Sequence, residues 1–273
     1  MRRLTSGFNG RSFKGDQALS EEFMRRIAPS IFAREAHESR SDKYLFIPTI
    51  EVLSALKKEG FLPFMVAQSR TRTEGKENYT RHMIRLRKQD DIKKEEGALE
   101  IILSNSSDGT SSFLLNAGYY RFVCQNGMVA GDILQDYRIQ HKGNLVDNII
   151  DVACEIVEDS EIMLNSIDSM KAISLSRDEK EIFANSALIL KNGEKESTLQ
   201  PKQLLLPKRF DDQKNDLWTT FNVVQENLIK GGIQGKSKDG RKTRSRAVKS
   251  VGNNLKLNKA LWTLADEMAK LKV

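Results

Sequence analysis

GNLVDNIIDVACEIVE, residues 143–158, is where this chain changes period. Val146, Ile149, Ile150, Ala153, Ile156 and Val157 recur at helical spacing, while Asp147, Asp151, Glu155 and Glu158 lie off that stripe. Such a pattern gives a helix one apolar face. Upstream the period is two. Phe64, Val66, Gln68, Arg70 and Arg72 alternate with Met65, Ala67, Ser69 and Thr71; Arg81, Met83, Arg85 and Arg87 alternate with His82, Ile84 and Leu86. Alternate residues of a strand point to opposite faces, so one face is expected to be largely arginine and the other to pack a core. The switch predicts an α+β fold: an antiparallel sheet region over 1–142 with a preceding helix, then a helical C-terminal half over 143–273.

Turn and cap signals fill in the rest. Glu100–Leu103 and Ser111–Leu115 read as a hairpin around the polar loop NSSDGT (105–110), and Asn126-Gly127, between Tyr119–Cys124 and Met128–Ala130, reads as a tight turn. A helix is expected from Thr49 to Lys58, with Glu51 in its first turn, Lys57 and Lys58 in its last, and Gly60 beyond it. Further helices fit 177–191, 216–230 and 257–270; the second has Asn215 as its expected N-cap and Gly231 as its stop. No long repeat or proline-rich linker separates the halves, so they are expected to pack as one unit.

The 273 residues carry a net charge of +7, and its distribution is uneven. Residues 230–250, KGGIQGKSKDGRKTRSRAVKS, hold eight of the 44 Lys and Arg against one of the 37 acidic residues, which leaves 36 of each elsewhere. Glycines at 231, 232, 235 and 240 suggest a flexible connector between two helices. A basic, Gly-rich segment suits a polyanion, so nucleic acid is the leading expected partner. The bland alternative is a solvated loop that binds nothing. The arginines of the sheet (Arg70, Arg72, Arg81, Arg85, Arg87) can track phosphates, and Tyr119 and Tyr120 can offer stacking faces. With Lys236, Lys238, Arg241, Lys242, Arg244, Arg246 and Lys249 they make the candidate interface.

Other chemistry is thinly represented. GKS at 235–237 lacks the upstream glycine of a phosphate-binding loop, so ATP hydrolysis is not expected. His37, His82 and His141 stand apart, and two cysteines, Cys124 and Cys154, give neither a disulfide framework nor a four-ligand zinc site. Cys124 can be a nucleophile with His82 or His141 as base, but a cysteine after Phe122-Val123 reads more readily as buried, and His82 as a hydrogen-bonded core residue. Trp218, Phe221, Val224 and Leu228 read as helix packing. No cofactor, signal peptide or membrane span is expected, and the expected compartment is a reducing cytoplasm.

Several segments resemble the phage- and plasmid-borne proteins of domain-of-unknown-function family 932: HESRSDKYLFIPTIEVLSALKKEGFLPF (37–64), RHMIRLRK (81–88), EIILSNSSDGTSSFLLNAGYYRFVCQNGMV (100–129), NDLWTTFNVVQENLIKGG (215–232), KTRSRAV (242–248) and LNKALW (257–262). The resemblance implies a mobile-element, DNA-linked setting. In outline, a sheet followed by helices and a basic groove is also similar to single-strand annealing proteins of the RAD recombination type, which work as rings without ATP; that likeness is one of architecture alone. Together these features point to a non-enzymatic protein, oligomeric, that binds or anneals single-stranded DNA. Two alternatives stay open: a metal-dependent nuclease or other DNA-processing enzyme, and an anti-defence protein that grips an acidic host protein.

Overall fold

In the computed structural model, residues 10–41, 44–88, 97–121, 126–129, 145–193 and 197–272 are described. The chain divides into two compact units. Strands β1 (Gly10–Lys14), β2 (Phe61–Ser69), β3 (His82–Lys88), β4 (Gly97–Asn105), β5 (Leu114–Arg121) and β6 (Asn126–Val129) join in that order into a six-stranded sheet, and the first unit holds β1 to β5 and the first two residues of β6. The pairings from β1 through β5 are antiparallel. Helices α1 (Glu21–Ile27), α2 (Thr49–Lys58) and α3 (Leu145–Glu158) complete the unit.

Helix α2 has the expected bounds, and it buries Val52, Leu53 and Leu56, each contributing about 1.5–3 kcal/mol of apolar transfer free energy. It packs on β2 and α3. Helix α3 thus belongs to the sheet unit, although its period places it in the helical half. Strand β1 and helix α1 have no clear signature in sequence: β1 has five residues and α1 seven, capped by Ser20, whose hydroxyl accepts from Phe23 N at 3.2 Å. Asn126-Gly127 is strand rather than turn, opening β6. Arg70 and Arg72 lie beyond the end of β2 in its connection to β3, so the alternation that reaches Arg72 in sequence stops at Ser69 in space.

Strand β3 is buried from His82 to Arg87, on both faces. His82 bridges elements: its Nδ1 lies 3.0 Å from Ser30 Oγ and its Nε2 2.9 Å from Thr49 Oγ1, while Asn105 Nδ2 donates to Thr49 Oγ1 at 2.9 Å. Burial drives its pKa down to about 4, against the weaker upward pulls of the Thr80 carbonyl and Asp108. His82 is therefore a neutral core residue at neutral pH.

The second unit holds α4 (Ser160–Ala172), α5 (Arg177–Asn192), the short α6 (Pro201–Leu204), α7 (Leu217–Lys230), α8 (Val251–Lys270) and a two-stranded ribbon, β7 (Gln234–Lys236) with β8 (Lys242–Arg244). Helix α7 is buried at every position from Leu217 to Leu228 and forms the axis of this unit. Trp218 stacks on Phe221 at 5.6 Å, and Phe221 meets Trp262 edge-on at 6.2 Å. The N-cap of α7 is Asp216, not Asn215: the Asp216 carboxylate accepts from Thr219 N at 2.7 Å and Thr219 Oγ1 at 2.8 Å. Asn215 instead accepts from Lys180 Nζ at 2.6 Å. A capping box joins Ser176 and Glu179 at the start of α5.

Candidate functional site

The basic segment that reads as a flexible connector is a braced hairpin. Gly231 ends α7 with φ 61°, and a Cβ there would come within 2.7 Å of the Arg246–Ala247 backbone, so only glycine allows the returning strand so close. The strands pair Gln234 with Arg244, Gly235 with Thr243 and Lys236 with Lys242. Gly240 N donates to Ser237 O at 2.9 Å and Ser237 N to Arg241 O at 2.9 Å, which closes the tip; Gly232 N to Ser245 O and Ser245 N to Ile233 O, both 2.8 Å, close the base. From outside, Lys236 N donates to Thr198 O at 2.9 Å and Gln203 Nε2 to Gln234 O at 2.6 Å. Lys191 Nζ ties the hairpin to α7 by donating to Leu228 O at 2.7 Å and Arg246 O at 3.1 Å, and burial lowers its pKa. Gly235 is a contact residue: a Cβ there would lie 2.2 Å from Thr198 O. The glycines serve close approach as well as freedom, which is why the segment is ordered.

Strand alternation sorts the side chains. Gly235 and Thr243 face the chain around Thr198, while Gln234, Lys236, Lys242 and Arg244 stand exposed on the other face. Lys236 and Lys242 are directly opposite each other, an arrangement that destabilises a ribbon when both are charged. Lys238 and Arg241 are exposed at the tip, Arg246 and Lys249 beyond β8. Among the described residues, no carboxylate pairs with Lys236, Lys242 or Arg244, whereas Lys230 is neutralised by Glu226 at 2.8 Å.

The arginine face of the sheet is a different matter. Arg85 and Arg87 are each only 3% exposed, and both bond Glu100, which is fully buried on β4: Arg85 Nη1 to Oε2 at 2.7 Å, Arg87 Nε to Oε1 at 2.9 Å. Burial pushes the Glu100 carboxyl up, but the two guanidiniums and their hydrogen bonds outweigh it and hold its pKa below the usual value. The Arg87 guanidinium also lies 3.7 Å from the centre of the Tyr120 ring, which Lys14 Nζ approaches to 3.8 Å. Tyr120 and Tyr119, at 4% and 8% exposure, have no free ring face for a base. Arg85, Arg87, Tyr119 and Tyr120 are therefore structural, not part of an exposed interface. Arg81 is half-buried, with Nε donating to Ser104 Oγ at 3.2 Å and its pKa lowered by desolvation. Of the expected sheet residues only Arg70 and Arg72 are exposed.

Three features have no counterpart in the sequence reading. One is the Lys191 latch. Another is the cluster at the end of α7: Arg209 Nη1 and Nη2 donate to both Glu226 carboxylate oxygens at 2.8 and 2.9 Å, and Arg209 Nη1 also bonds Asp212 at 2.9 Å. Burial raises the Glu226 pKa, but the hydrogen bonds and charges of Arg209 and Lys230 prevail and bring it to about 2. The third is Phe210, exposed beside this cluster. Cys154 is exposed; Cys124 and His141 lie outside the described residues. Among the described residues no three His, Cys, Asp or Glu side chains form a potential metal site, and no helix is long and apolar enough to cross a membrane.

A chain with this sheet, these helices and this hairpin belongs to the family described as Domain of unknown function (DUF932), which matches residues 36–262. It is 40% identical over 269 residues, 98% of each chain, to "UPF0380 protein YafZ" and likewise to "UPF0380 protein YfjQ", both of Escherichia coli (strain K12). No solved structure matches it.

Proposed function

We propose that this protein binds nucleic acid in the cytoplasm, without catalysis, by gripping the phosphate backbone on the outward face of the β7–β8 hairpin. The observation that carries this is the cross-strand pair Lys236–Lys242 with Arg244 beside it, three exposed cations without a described counter-charge on a ribbon braced from behind. Strands of three residues do not hold a ribbon together alone. The hydrogen bonds to Thr198 and from Gln203 and Lys191 hold like charges together that would otherwise separate, and a row of phosphates relieves that repulsion.

Lys238, Arg241 and Arg246 extend the cationic surface around the tip and past the base. Backbone contacts position a ligand without reading its sequence, so binding is expected to be strongly salt-dependent and weakly sequence-dependent. A two-stranded ribbon also fits a duplex major groove, so the hairpin face alone does not select single strands. Assembly of several copies along one strand is part of the proposal, and the stoichiometry of the complexes reads it out.

An electrophoretic shift series tests it with labelled single-stranded DNA, duplex DNA and RNA at low salt, with magnesium or manganese present. Shifted and intact probes are expected. Probe cleavage would favour the nuclease alternative. No shift with any probe would remove the proposal and favour a protein partner.

A further inference from the structure

We infer that Phe210 is a base-stacking residue which gives the proposed interface its preference for unpaired strands; this rests on the hairpin binding nucleic acid at all. Phe210 is 84% exposed, and among the described residues no other aromatic side chain is exposed. It does not dangle. It opens a 3-10 turn, Phe210–Asp212, whose other end, Asp212, is buried. Arg209, one residue before it, is held by Asp212 and by both oxygens of Glu226. With Arg209 and Asp212 fixed inward, the ring between them is held outward in solvent.

The turn and the hairpin hang on the same support. Glu226, which accepts from Arg209, also accepts from Lys230 Nζ at 2.8 Å, and Lys230 is the last residue of α7 before the hairpin. Asn227, next to Glu226, donates to Leu204 O at 2.8 Å and Leu206 O at 3.1 Å, fixing the chain that leads to Phe210. Gln203, on that same stretch, bonds the hairpin at Gln234 O. Exposed Lys208 and Lys214 lie two residues before and four residues after Phe210 in the chain, exposed Asp211 follows it directly, and Lys208 lies close enough to Glu226, Lys230 and Arg209 for their charges to act on it.

An aromatic face held on a fixed turn, with exposed lysines close by in the chain, has the composition of a single-strand platform: the cations meet phosphates, and the ring takes an unpaired base. A duplex keeps its bases stacked on one another and offers none to the ring. An isolated exposed phenylalanine is ordinary on protein surfaces; its fixed turn and its shared support with the hairpin set this one apart.

The test uses the full chain, a fluorescein-labelled oligothymidylate and a duplex of equal length, with binding followed by anisotropy. Phe210→Ala is expected to weaken oligothymidylate binding by about ten-fold, within the range for loss of one base–aromatic stack, and to leave duplex binding and the salt dependence unchanged. Phe210→Trp is expected to keep wild-type affinity, and its indole emission to be quenched by oligothymidylate but not by duplex. Trp218 and Trp262 are buried and contribute little to that change. Phe210→Ala binding both probes as wild type does, or losing both equally, overturns the inference while the hairpin proposal stands. Lower self-association in sedimentation, with DNA binding intact, assigns the ring to a protein interface and also overturns it. A wild type that binds neither probe removes both.

Discussion

Glu100→Gln removes a negative charge that two buried guanidiniums share. Glu100 accepts from Arg85 at 2.7 Å and from Arg87 at 2.9 Å, and neither arginine has the exposure to exchange that partner for water. Glutamine matches the volume and keeps one acceptor oxygen, but it turns an NH2 toward a cation and leaves uncompensated charge in the interior. Removal of one partner from a buried pair costs about 3–5 kcal/mol, a large share of the roughly 5–15 kcal/mol that holds a folded domain. With a urea slope of about 2 kcal/mol/M, the midpoint is expected to fall by about 2 M. Circular dichroism in urea measures it. The triple variant Arg85→Met, Arg87→Met, Glu100→Leu removes the charges together and is expected to recover much of the loss, less the cation–π contacts of Arg87 with Tyr120 and Phe64. A Glu100→Gln midpoint within about 0.3 M of wild type, roughly 0.6 kcal/mol at that slope, would refute the burial of the pair and return Arg85 and Arg87 to the list of phosphate contacts.

Three further outcomes follow from named contacts. His82 has its folded-state pKa lowered from 6.5 to about 4, so between those values the unfolded chain binds the extra proton; stability is expected to fall by about 3 kcal/mol in all as pH drops from 6.5 to 4, and the difference between wild type and His82→Gln in urea midpoints at several pH values reads it. In hydrogen exchange on the free protein, the amides of Lys236, Ser245 and Val248 are expected to be protected, because each donates to a backbone carbonyl; exchange at the free-peptide rate would restore the flexible connector. Gly235→Val drives a side chain into Thr198 O and is expected to abolish protection at Lys236 while leaving α7 protected, a local effect that residue-resolved exchange distinguishes from global unfolding.

The elements legible in sequence are those whose signal is local. Helix α2 carries its charges and stop within ten residues, and α5 opens on a capping box spanning four. Helix α8 starts at Val251, earlier than 257, because polar Asn254 and Asn258 interrupt the apolar pattern and yet are buried; Asn258 bonds Asn254 and the Gln225 side chain of α7. Period two separates the faces of β3 but does not say whether a charged face meets water or a counter-charge. Glu100 is on another strand, brought to Arg85 and Arg87 by the pairing of β3 with β4. The order of the hairpin was illegible for a similar reason: glycines in a charged run look like freedom, and their close contacts with Thr198 and Arg246 exist only in three dimensions. What composition did reveal is the location of the unbalanced charge, and the exposed cations of the candidate site lie mainly there.

The most direct test of the hairpin as a phosphate-binding surface is the salt dependence of oligonucleotide binding for the triple variant Lys236→Ala, Lys242→Ala, Arg244→Ala. These side chains are exposed and face away from the bracing contacts, so the fold is expected to persist, with a thermal midpoint at or above that of wild type because the Lys236–Lys242 repulsion is gone. If each cation neutralises one phosphate, the slope of log affinity against log salt becomes shallower by about 2 for a single strand and by about 2.7 for a duplex. Anisotropy over a range of salt concentrations gives that slope. A shallower slope with weaker binding at low salt is the predicted result; a variant that binds as tightly as wild type with the same slope contradicts it.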